Sequence, residues 1–112
     1  MKVLVCGSRS FTDRKKIHAR LSVFPSDTLI INGGAIGADS LADTIARDLK
    51  MNTLIIRPMW DKYGKSAGII RNNQMLDMGP DLVIAFYDGV SRGTAYTINE
   101  ARRRNIPVEV IR

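Results

Sequence analysis

Two glycine-rich segments of the chain each follow an apolar run and precede a helical pattern. Residues 32–39 (NGGAIGAD) follow the apolar run 29–31, and residues 88–94 (DGVSRGT) follow the apolar run 82–86. Glycine permits sharp turns and a close approach of a ligand to the backbone, and a helix N-terminus presents N–H groups to anions. We therefore expect the two segments to line one pocket for a phosphorylated ligand.

Further phosphate contacts are predicted from loops and helix starts that carry hydroxyl, guanidinium or free N–H groups. An ordinary turn between a strand and a helix does not need the two glycines, the serine and the threonine of residues 89–94, so this segment is predicted to bind a ligand. An arginine can hold a phosphate through two hydrogen bonds. The predicted ligand-binding residues are Gly7, Ser8, Arg9, Gly33, Gly34, Ala35, Gly37, Ala38, Asp39, Arg71, Asn72, Gly89, Ser91, Gly93 and Thr94.

Several of these residue types also have a purely structural use. Asp39 is predicted to cap the helix that follows it, with contact to a ribose hydroxyl as the alternative. Trp60 is predicted to close the end of the core, and its alternative, like that of Tyr63, is to stack on a base. Cys6, the single cysteine, is interpreted as a small buried hydrophobe, and no metal site or cofactor is expected.

Length and charge limit the class of protein. The 112 residues correspond to one domain, residues 1–112, and the net charge of +6 favours anionic partners. The basic runs 14–16 and 102–104 are interpreted as helix surface. No apolar run approaches the roughly 20 residues that a membrane span needs, and the first residues lack a signal-peptide pattern, so we expect a cytoplasmic protein without a membrane partner.

Strand and helix patterns alternate along the chain. Strands are predicted at 2–6, 28–32, 53–57, 81–86 and 107–111. Helices are predicted from a cap at Ser10 or Thr12 to about 23, at 38–50, from a loop at 59–65 to about 78, and at 94–105. Uniformly apolar strands joined by helices indicate an α/β, three-layer Rossmann-like sandwich with five parallel strands in the order 3-2-1-4-5. A ligand would bind outside the carboxyl ends of the strands.

With these segments in order, the chain resembles the YspA-like branch of the SLOG superfamily. The resemblance rests on residues 7–9, 33–39, 63–65, 67–68, 71–72 and 89–94, together with Trp60 and Met75. It implies a Rossmann-type domain that binds a nucleotide or a nucleotide-derived, phosphoribosyl-containing ligand, as a sensor or a sequestering protein. Relatives of this branch commonly pair, which implies a homodimer.

Two related families imply alternative functions. The lonely-guy phosphoribohydrolases split a nucleoside monophosphate, and Arg71, Met75 and the pair Gly93-Thr94 are similar to their motifs. Tyr96 and Thr97 stand where those enzymes have two glutamates, so an N-glycosidase would have to use Arg71 with another carboxylate. The candidates are Glu100, one helical turn farther on, and Asp39 and Asp88. The DNA-processing protein A family resembles residues 33–42, which implies single-stranded DNA binding as a less favoured alternative.

Overall fold

The computed structural model describes all 112 residues, in which five helices connect five strands, two of the helices between the third and fourth strands. In chain order the elements are β1 (Lys2–Gly7), α1 (Arg14–Leu21), β2 (Leu29–Asn32), α2 (Ala38–Asp48), β3 (Asn52–Ile55), α3 (Trp60–Tyr63), α4 (Ala67–Asp77), β4 (Leu82–Phe86), α5 (Arg92–Arg103) and β5 (Val108–Ile111), with a short 3₁₀ turn at Gly64–Ser66.

All neighbouring strands pair in parallel, in the order β3-β2-β1-β4-β5, so the predicted topology is confirmed. The central strand β1 is paired on both sides, with Leu4 opposite Ile31 of β2 and Val83 of β4. Its side chains alternate between the two faces of the sheet, and both faces are covered by helices. This double burial explains why the strand sequences are uniformly apolar.

Two hydrophobic cores hold the three layers together. One core packs α1 and α2 on one face of the sheet, where Ile17 and Ile45 contact side chains such as Val5 and Phe86. The other core packs α4 and α5 on the opposite face, where Met75 and Ile98 lie against side chains of β1 and β4. None of the helices is both long and apolar enough to cross a bilayer.

Two local predictions are wrong. Asp13, and not Ser10 or Thr12, caps α1, because its side chain accepts a hydrogen bond from the Lys16 N–H at 3.1 Å. The segment 59–65, predicted as a loop, contains the single helical turn α3, and Gly64 ends that turn with a positive φ of 57°. Short turns of this kind carry too few apolar positions to show a helical period in the sequence.

Candidate functional site

A crevice of about 490 Å³ lies at the carboxyl ends of the strands, where the chain winds to both sides of β1. The segments after β1, β2 and β4 contribute Arg9, Ala35 and Ser91, and α3 and α4 contribute Trp60 and Asn72. In open parallel sheets this position is the usual ligand site. Both glycine-rich segments therefore contribute to one crevice, as the sequence predicts.

The side chains that line the crevice are strongly biased toward positive charge. Arg9, Lys65, Arg71 and Arg92 line it, whereas Asp39 is its single acidic residue. Lys65 and Arg92 were not among the predicted ligand contacts. Arg92 could have been included, because it stands between Ser91 and Gly93 in a segment already predicted to bind phosphate. This charge balance favours an anionic ligand.

Arg71 is held in place by the backbone and by its neighbour. Its Nη1 donates to the Gly33 carbonyl at 2.7 Å, and its Nε donates to the Asn72 Oδ1 at 2.9 Å. A Cβ on residue 33 would lie 2.3 Å from Nη1, so only glycine leaves room for the guanidinium there. Burial lowers the pKa of Arg71 and the charge of Asp39 raises it, and an arginine stays cationic throughout.

Asp39 does not cap α2, in contrast to the sequence prediction. It is the second residue of the helix, and its Oδ2 accepts a hydrogen bond from the Gly33 N–H at 2.7 Å. The side chain therefore folds back onto the loop that precedes the helix. Burial raises the pKa of the Asp39 carboxyl to about 6, while the backbone N–H groups around it and the Arg71 charge act in the opposite direction.

The β2–α2 loop uses the N–H groups of its first two glycines inside the protein. The Gly33 N–H is bound to Asp39, and the Gly34 N–H donates to the Asn32 Oδ1 at 2.8 Å. Asn32 is itself held by Asp43, to which its Nδ2 donates at 2.9 Å. The prediction that these two amides face a phosphate is therefore wrong, because both already have partners.

Gly37 allows this loop to pack tightly against the segment after β1. Its φ is +92°, and a Cβ would lie 2.4 Å from the Ser8 carbonyl oxygen. The next residue, Ala38, donates its N–H to the same oxygen at 3.3 Å. Gly37 and Ala38 therefore shape the crevice from behind, and Gly7 and Arg9 line it.

The β4–α5 loop and the first turn of α5 leave some of their donors available. Asp88 accepts hydrogen bonds from the N–H groups of Val90 and Ser91 at 2.8 and 2.9 Å, and these bonds lower the pKa of its carboxyl to about 2. The N–H groups of Gly93 and Thr94, in the first turn of α5, have no partner in the protein, nor does the Thr94 hydroxyl. Free N–H groups of this kind favour an anion.

Buried Ser8 connects this loop to the segment after β1. Its Oγ accepts a hydrogen bond from the Asp88 N–H at 3.0 Å and lies 3.0 Å from the Ser91 Oγ. Gly89 lies outside the crevice, near the guanidinium of Arg112. Ser8 and Gly89 thus support the loop from behind, whereas Ser91, Gly93 and Thr94 line the crevice.

Of the predicted aromatic residues and the predicted catalytic glutamate, only Trp60 lines the crevice. Trp60 is 55% exposed at the crevice rim, so the prediction that it closes the core is wrong. Tyr63 and Glu100 do not line the crevice. Glu100 instead forms ion pairs with Arg103 and Arg104, which lower the pKa of its carboxyl to about 2. Its predicted catalytic role finds no support in this position.

The remaining predicted residues behave as structural elements near the crevice. Cys6 is buried, as predicted, and burial raises the pKa of its thiol. Thr97, which stands at a glutamate position of the lonely-guy motif, lines the crevice and donates to the Gly93 carbonyl at 3.1 Å. Met75 is buried in the core and reaches the crevice floor.

Comparison with known proteins gives one family and one similar phage protein. Residues 1–63 match the model of YAcAr, described as the YspA, cpYpsA-related SLOG family. The chain is 34% identical over 116 residues to the "Gene 61 protein" of Mycobacterium phage D29, with 96% of this chain and 93% of that protein covered.

Two solved structures share the fold. DNA processing protein A (DprA) from Streptococcus pneumoniae superposes with a TM-score of 0.84 at 20% identity, covering 99% of this chain and 50% of that one. The protein TM1055 superposes with a TM-score of 0.70 at 20% identity, covering 96% and 71%. The chain thus spans half the length of the DprA chain, and at this identity the likeness shows the fold alone.

Proposed function

The chain belongs to the YspA, cpYpsA-related SLOG family, and on that premise we propose that it binds a nucleotide or a nucleotide-derived, phosphoribosyl-containing ligand in the crevice. The observation that carries the proposal is that two kinds of anion-binding group surround one cavity. These are the unpartnered N–H groups at the start of α5 and four cationic side chains. A volume of about 490 Å³ is in the range of small-molecule sites.

The phosphate is proposed to lie at the N-terminus of α5. There the N–H groups of Gly93 and Thr94 and the Thr94 hydroxyl supply donors, and Arg71 supplies a charge fixed by its bond to the Gly33 carbonyl at 2.7 Å. A preorganised guanidinium loses little freedom when it binds, so it contributes both affinity and orientation. Arg9 and Arg92, both lining the crevice, add further charge at the mouth.

The base is proposed to stack on Trp60. Its indole is more than half exposed, yet it lines the crevice next to Gly68, where a Cβ would lie 3.7 Å from the indole Cη2. An exposed tryptophan on the rim of a cationic crevice is an unusual use of a large apolar side chain. Aromatic faces bind any base, so this contact supplies affinity without selecting the base.

We infer binding, rather than hydrolysis, as the function, because the carboxylate expected from the lonely-guy motif is missing. Glu100 is paired with two arginines away from the crevice, and Asp39 is the single acidic residue that lines it. The single-stranded DNA alternative and the homodimer implied by the relatives stay predictions. A salt-dependent oligonucleotide titration and a light-scattering mass test them.

The proposal is tested by calorimetric titration of the purified chain with purine and pyrimidine nucleoside 5′-monophosphates, diphosphates and ADP-ribose. We expect binding by at least one, with an affinity reduced about tenfold in Arg9→Ala, which loses a crevice charge. Arg14→Ala removes the same charge from exposed α1, outside the crevice, and we expect the affinity to stay unchanged. Absence of heat across the panel, or equal losses in both variants, would contradict the proposal.

A further inference from the structure

Asp39 is a buried carboxyl group in an otherwise cationic crevice. Its side chain lines the crevice, and the residue is 5% exposed. Oδ2 accepts the Gly33 N–H at 2.7 Å, and the N–H groups of Ala35 and Asp39 also act on the carboxylate and lower its pKa. The Asp39 oxygens are not among the fully buried, unpartnered side-chain atoms of the protein, so they are not sealed inside it. An ionised carboxylate has about four acceptor sites on its two oxygens, so the Asp39 carboxyl can accept a further hydrogen bond from a ligand donor in the crevice.

No direct ion pair neutralises this carboxylate. The ion pairs of the chain connect other residues, and none includes Asp39 within 4.0 Å. Arg71, whose charge acts on Asp39, directs its Nη1 and Nε to Gly33 and Asn72. Thus no cationic side chain binds the Asp39 carboxylate directly, although four of them line the same crevice.

Asp39 lines the same crevice as the two ends proposed for the ligand, and it is buried whereas Trp60 is exposed. Gly93 and Thr94 bring the free N–H groups of α5 to one part of the crevice, and Trp60 stands on its rim. In a nucleotide the sugar joins the phosphate to the base, so it occupies the interior between those contacts. A sugar hydroxyl is an uncharged donor, which suits a carboxylate better than another anion does.

We propose that Asp39 accepts a hydrogen bond from a ribose hydroxyl of the ligand, so that the crevice discriminates against nucleotides that lack this hydroxyl. This inference rests on the proposed function, because it needs a nucleotide in the crevice. A site that hydrogen-bonds a hydroxyl discriminates strongly against the analogue that lacks it, because its own polar group is then left buried without a partner.

The test compares the tightest nucleoside 5′-monophosphate of the calorimetric panel with its 2′-deoxy and 3′-deoxy analogues at about pH 8, where Asp39 is ionised. We expect at least one analogue to bind the unmodified protein about tenfold or more weakly. In Asp39→Ala the ribose and deoxyribose forms are expected to bind within about threefold of each other. Asp48→Ala, an exposed change on the same helix α2, serves as the control and keeps the discrimination.

The analogue series on the unmodified protein decides the matter even if Asp39→Ala fails to fold. Equal affinities for the ribose and both deoxyribose forms would overturn the role of Asp39 and leave the proposed function standing. Discrimination that persists in a folded Asp39→Ala protein would overturn it as well. Binding by none of the nucleotides would overturn the proposed function itself.

Discussion

The β2–α2 loop and the β4–α5 loop both carry glycines between a buried strand and a helix, but they differ in which backbone donors they bind inside the protein. In the first loop the N–H groups of Gly33 and Gly34 bind Asp39 and Asn32. In the second the N–H groups of Gly93 and Thr94 have no partner in the protein. The first loop therefore holds side chains in position, and the second offers donors to a ligand.

This difference follows from where the acidic residue stands in each loop. Asp39 follows the glycines, inside the helix, so its carboxylate reaches back and takes an N–H of the loop. Asp88 precedes the helix and takes the N–H groups of Val90 and Ser91, which leaves the first helical turn open. Loops of similar glycine content can thus differ in which N–H groups stay unpartnered, and the positions of Asp39, Asn32 and Asp88 account for the difference here.

The largest expected effect comes from adding one methyl group to a glycine in each loop. Gly37→Ala places a Cβ 2.4 Å from the Ser8 carbonyl at a φ of +92°, and we expect a loss of about 2–4 kcal/mol in the free energy of unfolding. Gly93→Ala meets no atom within 4 Å in a helix, and we expect a change within about 1 kcal/mol. Urea unfolding of both variants measures the contrast, and equal losses would contradict it.

The next effect concerns Arg71. The carbonyl of Gly33 in the β2–α2 loop fixes its guanidinium, which is proposed to bind the phosphate together with the β4–α5 loop. Arg71→Ala is expected to weaken nucleotide binding roughly 10–100-fold, because it removes a fixed, partly buried guanidinium. Arg71→Lys keeps the positive charge but loses the planar guanidinium with its several N–H donors, so it should recover only part of the affinity. Calorimetry provides the measurement, with Arg102→Ala on the exposed face of α5 as the control. A full recovery by lysine would show that charge alone matters.

A third prediction concerns how the buried Asp39 carboxyl, in the first turn of α2, makes the free energy of unfolding depend on pH. Its pKa is raised to about 6 in the folded chain from an ordinary value of 3.8, so the folded state binds the proton more tightly. The stability from this proton is fully present below about pH 4 and is lost as the pH rises through about 6. Asp39→Asn removes this dependence. We therefore expect the free energy of unfolding of the variant, relative to that of the unmodified protein, to increase by on the order of 2 kcal/mol as the pH rises from about 4 to about 7.

Thermal or urea unfolding of both proteins across that pH range measures the gain. The asparagine side chain of the variant keeps an oxygen for the Gly33 N–H, so the comparison isolates the charge. A difference between the two proteins that stays constant over the whole range would show that the carboxyl titrates at its ordinary pKa.

The smallest effect concerns the crevice rim. Trp60→Ala is expected to weaken nucleotide binding by about fivefold to tenfold, since base stacking contributes on the order of 1 kcal/mol or more. Binding of ribose 5-phosphate, which has no base, should not change. Met59→Ala, an exposed neighbour at 48% exposure, is the matched control. A similar loss for ribose 5-phosphate would place the effect of Trp60 on the shape of the crevice instead of on stacking.

The fold was predictable from the sequence because its strands are buried on both faces. Runs such as 82–86 are apolar without alternation, and the helical stripe of 41–49 leaves one interpretation for α2. The crevice position followed, since the carboxyl ends of parallel strands share one edge. What the loops do with their donors was not predictable, because the bond from Gly33 to Asp39 depends on a side-chain rotamer and not on residue spacing.

Trp60 and Glu100 illustrate the same limit. Trp60 was expected in the core because large apolar side chains usually are, but its single helical turn holds it at the rim. Glu100 was selected by its distance along the chain from the lonely-guy motif, whereas its partners Arg103 and Arg104 follow it on the same helix face. The position of Glu100 along the helix can be read from the sequence, but its ion pairs with Arg103 and Arg104 determine where its carboxylate lies.

The different roles of the two loops are tested most directly by the change in backbone amide resonances when the tightest nucleotide of the panel is titrated into the labelled protein. We expect the Gly93 and Thr94 amides to shift most, because their N–H groups receive the phosphate, and the Gly33 and Gly34 amides to shift much less. Larger shifts at Gly33 and Gly34 than at Gly93 and Thr94 would contradict the assignment of the two loops.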